Sequence, residues 1–163
     1  MERTFIALKP DAIQRGHVCE IVSRFERKGF KLIGMKFMVV SKAQAEEHYK
    51  EHSAKPFFKG LVDFITSAPI VAMAWEGDNV VESARKMMGA TNPKESAPGT
   101  IRGDFAVDLG RNIVHGSDSV ASAERELAIF FAPDELYAGW DRTTEGWVYE
   151  KPEAAKKPQA CGV

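Results

Sequence analysis

Apolar and polar positions along this chain switch repeatedly between a strand period and a helix period. Thr4 to Leu8 is a short apolar run of the kind that forms a buried strand, closed by Lys9-Pro10-Asp11. Val18, Ile21, Val22 and Phe25 then recur at helical spacing, and Gly29 supplies a C-terminal stop. Leu32 to Val40, rich in β-branched and aromatic residues, predicts a longer strand. Ser41-Lys42-Ala43-Gln44 has the form of a capping box and predicts a helix running through His48 and Tyr49. Pro56 predicts the start of another helix, with Phe57, Phe58, Leu61, Phe64 and Ile65 on its apolar side. Ile70 to Trp75 reads as a buried strand, followed by a Gly77-Asp78 turn. Val80, Ala84, Met87 and Met88 make one helical face that ends at Gly89.

From Gly89 to Arg111 the periodicity disappears, in a stretch holding Pro93, Pro98, Gly99, Gly103 and Gly110. Loops this long inside a compact domain are usually functional or disordered, and Thr91, Arg102 and Arg111 favour function. Ile113 to His115 reads as a short strand. Gly116-Ser117-Asp118-Ser119 is a turn of capping residues, and Val120 to Phe131 is an amphipathic helix. There is no internal repeat. After Glu150 the composition shifts to lysine, proline, glutamate and alanine. One domain over residues 1–150 and a disordered tail over 151–163 are therefore expected. Taken alone, the alternation of strand and helix suggests a parallel α/β sheet.

Length and composition narrow the function. The 163 residues suit one domain, and 44% apolar with 28% charged residues marks a globular chain. The net charge of -1 argues against nucleic acid as a primary ligand but leaves room for a local basic pocket. Cys19 and Cys161 lie too far apart in sequence for a metal or redox motif. No apolar stretch approaches the ~18 residues of a membrane span. The opening Met1-Glu2-Arg3-Thr4 lacks a signal-peptide pattern, so a cytoplasmic location is expected.

Two clusters could carry chemistry. There is no P-loop sequence and no G-x-S-x-G elbow. His48-Tyr49-Lys50-Glu51-His52 matches the H-x-x-E-H pattern of inverted zinc metalloproteases, in which two histidines one helical turn apart share a metal. Three fixed positions in five arise readily by chance, and a polar helix face explains them as well. Asn112-Ile113-Val114-His115-Gly116-Ser117-Asp118-Ser119 places His115 at the end of a strand before a glycine turn. There a side chain is rigidly held yet reaches a cleft, and the glycine leaves room for a ligand. A lone histidine is more often satisfied by a backbone carbonyl. Lys9, Tyr49, Phe57, Arg85, Thr91 and Arg102 supply the cations and stacking surface of a polyphosphate site, if the fold brings them together.

At these residues the chain resembles the nucleoside diphosphate kinases. Arg3 to Asp11 is similar to the family's opening strand. Lys55-Pro56-Phe57-Phe58, Gly89-Ala90-Thr91-Asn92-Pro93 and Pro98 to Asp104 follow in the family's order. Asn112 to Ser119 resembles its active-site signature, and the similarity runs from Glu2 to Glu150. Lys55 and Leu109 depart from the arginine and valine that are frequent in relatives; neither touches the chemistry.

The resemblance implies a ferredoxin-like α+β fold, a βαββαβ sandwich with a four-stranded antiparallel sheet and a long loop before the last strand. It overrules the parallel sheet. It implies γ-phosphate transfer from a nucleoside triphosphate to a diphosphate, in ping-pong fashion through a phosphohistidine on His115, with broad base specificity. Glu126 and Ser117 would hold the imidazole through its other nitrogen. Lys9, Tyr49, Arg85, Thr91 and Arg102 would surround the phosphates, and Lys9 and Asn112 would meet the ribose. Phe57 would stack on the base, with Leu61 and Leu109 lining the other side. Mg2+ would be held mainly by the nucleotide phosphates, with no protein metal ligand. A homo-oligomer, a hexamer, is expected. The competing reading is a non-catalytic nucleotide-binding regulatory module, against which the intact histidine signature argues.

Overall fold

The computed structural model describes residues 1–150; the expected tail, 151–163, lies outside the described residues. Strand β1 (Glu2–Leu8) leads through α1 (Pro10–Gln14) and α2 (Val18–Lys28) to β2 (Lys31–Met38). Helices α3 (Lys42–His48) and α4 (Phe58–Ile65) precede β3 (Ile70–Gly77). Then come α5 (Val80–Met88), α6 (Ile101–Phe105), β4 (Val114–Gly116), α7 (Val120–Phe130) and α8 (Glu145–Val148). The sheet order is β2-β3-β1-β4. Every pairing is antiparallel, which bears out the βαββαβ sandwich and overturns the parallel sheet.

The alternation of strand and helix pointed to a parallel sheet, and the strand patterns did not correct it, because this antiparallel sheet is covered on both faces. Ile6, Leu8, Met73 and Trp75 point into one core with Ile21 and Phe25 of α2 and Ala84 and Met88 of α5. Phe5, Ala7, Ala72 and Ala74 point into a second with Ala45 of α3, Val62 of α4 and Leu127 and Phe130 of α7. Strands buried on both faces lose the apolar-polar alternation that marks a half-solvated antiparallel strand.

Several local readings shift. Lys9-Pro10-Asp11 does not merely end the strand: Pro10 opens α1, where its missing N–H costs nothing. The capping box forms in both directions, but α3 stops at His48, and Lys50–His52 is a 3-10 turn. Pro56 and Phe57 precede α4 rather than start it. The aperiodic stretch is ordered, with a 3-10 turn at Pro93–Glu95 and α6 inside it. Gly103 makes that stretch possible, because a Cβ there would lie 2.0 Å from the Ala97 carbonyl oxygen.

Candidate active site

The site begins with an irregularity. Strand β4 starts at Val114, one residue later than the pattern suggests, because Ile113 takes φ +74°. The Val114 N–H bonds back to the Asn112 carbonyl at 2.8 Å, closing a three-residue γ-turn of the strained kind. A β-branched residue holds this geometry only where its surroundings over-determine it. Here the buried Asp11 carboxylate accepts the Ile113 N–H at 2.9 Å, and the Lys9 N–H reaches the Ile113 carbonyl at 2.9 Å. Arg102, only 4% exposed, donates to three carbonyls: Asn112 at 3.3 Å, Gly89 at 2.9 Å and Val114 at 2.7 Å. The first turn of the chain and α6 together set the backbone that carries Asn112 and His115.

His115 projects from β4 with its ring beside Phe5 and His48. Its Nε2 lies 3.0 Å from Oε2 of Glu126, a buried carboxylate on α7. The Ser117 hydroxyl donates to the same oxygen at 2.6 Å while accepting the Phe5 N–H. Ser117 thus acts on Glu126 and not on the imidazole, a correction to its expected role. Burial would raise the Glu126 carboxyl, but the hydrogen bonds from His115 and Ser117 outweigh it and hold the group below the usual range. An ionised carboxylate only accepts, so the imidazole proton sits on Nε2 and the lone pair on Nδ1.

His115 and Glu126 line a cavity of about 200 Å³. Lys9, Tyr49, Arg85, Thr91, Arg102 and Asn112 line it too, and so does Leu61. Residues scattered from the end of β1 to α7 thus meet in one place. Lys9 Nζ donates to Asn112 Oδ1, whose amide donates to the Thr91 carbonyl. Arg85 donates to the Gly116 carbonyl at 3.2 Å. Phe57 and Leu109 do not line the cavity; they stand 52% and 58% exposed. The space beside Gly116 serves packing, since a Cβ there would meet the Met88 side chain.

Four further groups belong to the site or its frame. Asp118 and Arg125 line the cavity, and the Ser122 hydroxyl holds the Asp118 carboxyl below its usual range. Asp11 holds the γ-turn. His48 is buried behind His115, and burial together with that neighbouring ring pushes it down to about 3, so it is neutral. In sequence, Asp118 looks like a capping residue and Asp11 like part of a turn. No pattern linked His48 to residue 115. The H-x-x-E-H pair does not form, because α3 ends between its histidines.

Burial pulls Lys9 down to about 8, with Arg102 and Arg111 adding to the effect and Asp11 opposing it. The charged form attracts an anion, so raising pH through this value removes the charge. We expect the affinity of this cavity for a phosphate-bearing anion to fall above about pH 8. In Lys9→Arg, whose guanidinium stays charged, the fall should move to higher pH. An identical pH profile in that variant would remove Lys9 from phosphate binding.

A family model described as nucleoside diphosphate kinase matches residues 2–136. Over 150 residues the chain is 65% identical to a nucleoside diphosphate kinase of Heliobacterium modesticaldum, covering 92% of this chain and 100% of that one. Nucleoside diphosphate kinase 1 of Pisum sativum is 60% identical over 149 residues, 91% of this chain and 99% of the relative. Among solved structures, a halophilic nucleoside diphosphate kinase from Halobacterium salinarum in complex with CDP matches with a TM-score of 0.89 at 54% identity, covering 91% of this chain and 99% of that one. A nucleoside diphosphate kinase family protein from Babesia bovis matches with a TM-score of 0.89 at 50% identity, over 91% and 100% of the two chains.

Proposed function

The chain belongs to the nucleoside diphosphate kinase family and transfers phosphate between nucleotides, and from that premise we propose that His115 carries the phosphoryl group. The observation that carries this reading is the Nε2–Glu126 hydrogen bond, which leaves Nδ1 as the free nucleophile beside a cationic cavity. Nδ1 attacks the γ-phosphorus of a nucleoside triphosphate as the bond to the β-phosphate oxygen breaks. The diphosphate leaves, a second diphosphate takes its place, and its terminal oxygen attacks the phosphohistidine in reverse.

Charge spreads over the oxygens of the group in flight, and Lys9, Arg85 and Arg102 counter it. Tyr49 and Thr91 contribute neutral donors. Burial pushes the Tyr49 phenol up to about 12, so it keeps its proton. Glu126, stabilised by Ser117, fixes the tautomer and offsets the positive charge of the phosphorylated ring. Asn112 meets the ribose. Phe57, Leu61 and Leu109 offer apolar surface to the base, which suits broad base specificity because stacking tolerates every base.

Magnesium fits this site as an ion brought by the nucleotide. Of the lining carboxylates, Glu126 is engaged by His115 and Ser117, and Glu51 stands 3.8 Å from Arg125. Only Asp118 remains beside the phosphate cations, and Mg2+ commonly keeps its waters and takes one or two carboxylates plus phosphates. The ion would supply charge to the phosphate oxygens.

The direct test is incubation with γ-labelled ATP and magnesium without acceptor. Acid-labile label should appear on the protein and be discharged by any nucleoside diphosphate. Absence of protein-bound label under turnover conditions would overturn the relay.

We also place the protein in the cytoplasm; no helix among the described residues is long and apolar enough to cross a membrane. The working form is a homo-oligomer, a hexamer. Edge strand β2 and its extension put Met35, Phe37 and Val39 on one exposed face, and Trp147 is 92% exposed. Open apolar edges of this kind normally pair with something. Sedimentation should give six times the chain mass, and Phe37→Asp should shift it to smaller species. A monomer at micromolar concentration would defeat the assembly.

A further inference from the structure

His48, His115 and Glu126 each present one ligand atom, and the three lie within 4.8 Å of one another. His48 Nδ1 is buried, has no hydrogen-bond partner and points toward the carboxylate, 3.9 Å from Glu126 Oε1. The residue is 7% exposed, in a slot between Phe5, Phe130 and the His115 ring. A buried ring nitrogen without a partner is costly to leave so.

We propose that these three side chains form an inhibitory site for a borderline divalent cation, Zn2+ above all, that captures His115 through Nε2. Two imidazoles and a carboxylate are a known zinc donor set with a fourth position open to water. Bonds of about 2.1 Å at tetrahedral angles require ligand atoms about 3.4 Å apart, so the widest separation in the cluster closes by about 1.4 Å at most. The cavity gives access from solvent.

Inhibition follows from the imidazole itself. A neutral ring has one N–H and one lone pair. With Nε2 bound to the metal, the proton that Nε2 held moves to Nδ1, and Nδ1 loses the pair that attacks phosphorus. Nothing is oxidised or reduced, and the ring keeps one proton. Mg2+ takes oxygen ligands in octahedral geometry and does not compete for this site, so saturating magnesium leaves it open. Copper should act like zinc and manganese far more weakly.

The inference rests on His115 as phosphoryl carrier, and the experiment separates the two. Zn2+ at buffered free concentrations is added with saturating magnesium to the wild type, His48→Phe and His52→Asn. Phosphoenzyme formation from γ-labelled ATP is read against each protein's own zinc-free rate. Micromolar zinc should suppress it in the wild type and in His52→Asn, reversibly on chelation. In His48→Phe at least about tenfold more zinc should be needed. Equal sensitivity of His48→Phe and wild type would overturn the site, and so would failure of calorimetry to detect one strong zinc per chain. On wild-type protein alone, nitrogen shifts should report the His115 proton moving from Nε2 to Nδ1 as zinc binds; an unmoved proton would overturn the mechanism of inhibition. Absence of phosphoenzyme without zinc would instead defeat the relay, leaving calorimetry and the tautomer to judge the metal site.

Discussion

Turnover in His115→Gln should fall by at least about 10⁴-fold, the scale of losing a covalent nucleophile. Glutamine is close in size, and its amide can still donate to Glu126, so the buried carboxylate keeps a partner in place of the 3.0 Å contact from Nε2. The variant should therefore fold, melt near the wild type and bind nucleotide, because Lys9, Arg85 and Arg102 are untouched. What disappears is the lone pair at Nδ1 and with it the acid-labile label. Residual direct transfer between two nucleotides would need both bound at once. Initial rates plotted against both substrates settle the order of events: parallel lines in double-reciprocal form for the wild type, nothing measurable for the variant. Wild-type-like rates in His115→Gln would end the account.

The second large effect belongs to Arg102. All three of its nitrogens donate to carbonyls, on Asn112, Gly89 and Val114, in a buried setting. Arg102→Ala strands those acceptors, at about 1–3 kcal/mol for each buried group left unsatisfied. A loss of at least about 3 kcal/mol is expected, or roughly 6–12 °C in melting temperature for a domain of this size. Arg102→Lys keeps the charge but not the fork, and should recover only part. Activity should fall in both even at temperatures where they are folded, because the γ-turn at Ile113 sets the approach of His115. Calorimetry beside an activity assay makes the test. An unchanged melting temperature with activity lost would mean that Arg102 serves the phosphates alone and the clamp is dispensable.

Much of the site was legible because its chemistry sits in ordered segments. Lys9, Thr91, Asn112 and His115 were recognisable from their neighbours in sequence and do converge. Arg102 was legible as a cation but not as a backbone clamp, since nothing in Pro98 to Asp104 announces which carbonyls it will meet. Asp11 was hidden for the same reason: its partner is the Ile113 N–H, 102 residues away. The zinc-like pattern at His48 and His52 failed because its spacing presumes a continuous helix, and α3 ends at the first histidine. The histidine that matters there faces residue 115, a relation set by tertiary packing. The sheet's direction was illegible because strands covered on both faces look alike in either orientation.

His115 sits on the shortest strand among the described residues, three residues long, which pairs with the first strand of the chain. Phe5 and Ser117, bonded across that pair, are 112 residues apart in sequence. During synthesis the free edge of β1 must wait until nearly the whole domain has left the ribosome. Closing so long a loop costs entropy before any contact repays it, so this pairing belongs among the slow, late events of folding. No fragment that stops short of α7 can assemble the His115–Glu126 pair. Catalytic competence is therefore a report on complete folding. On refolding, helical signal should return before the ability to take up phosphate does.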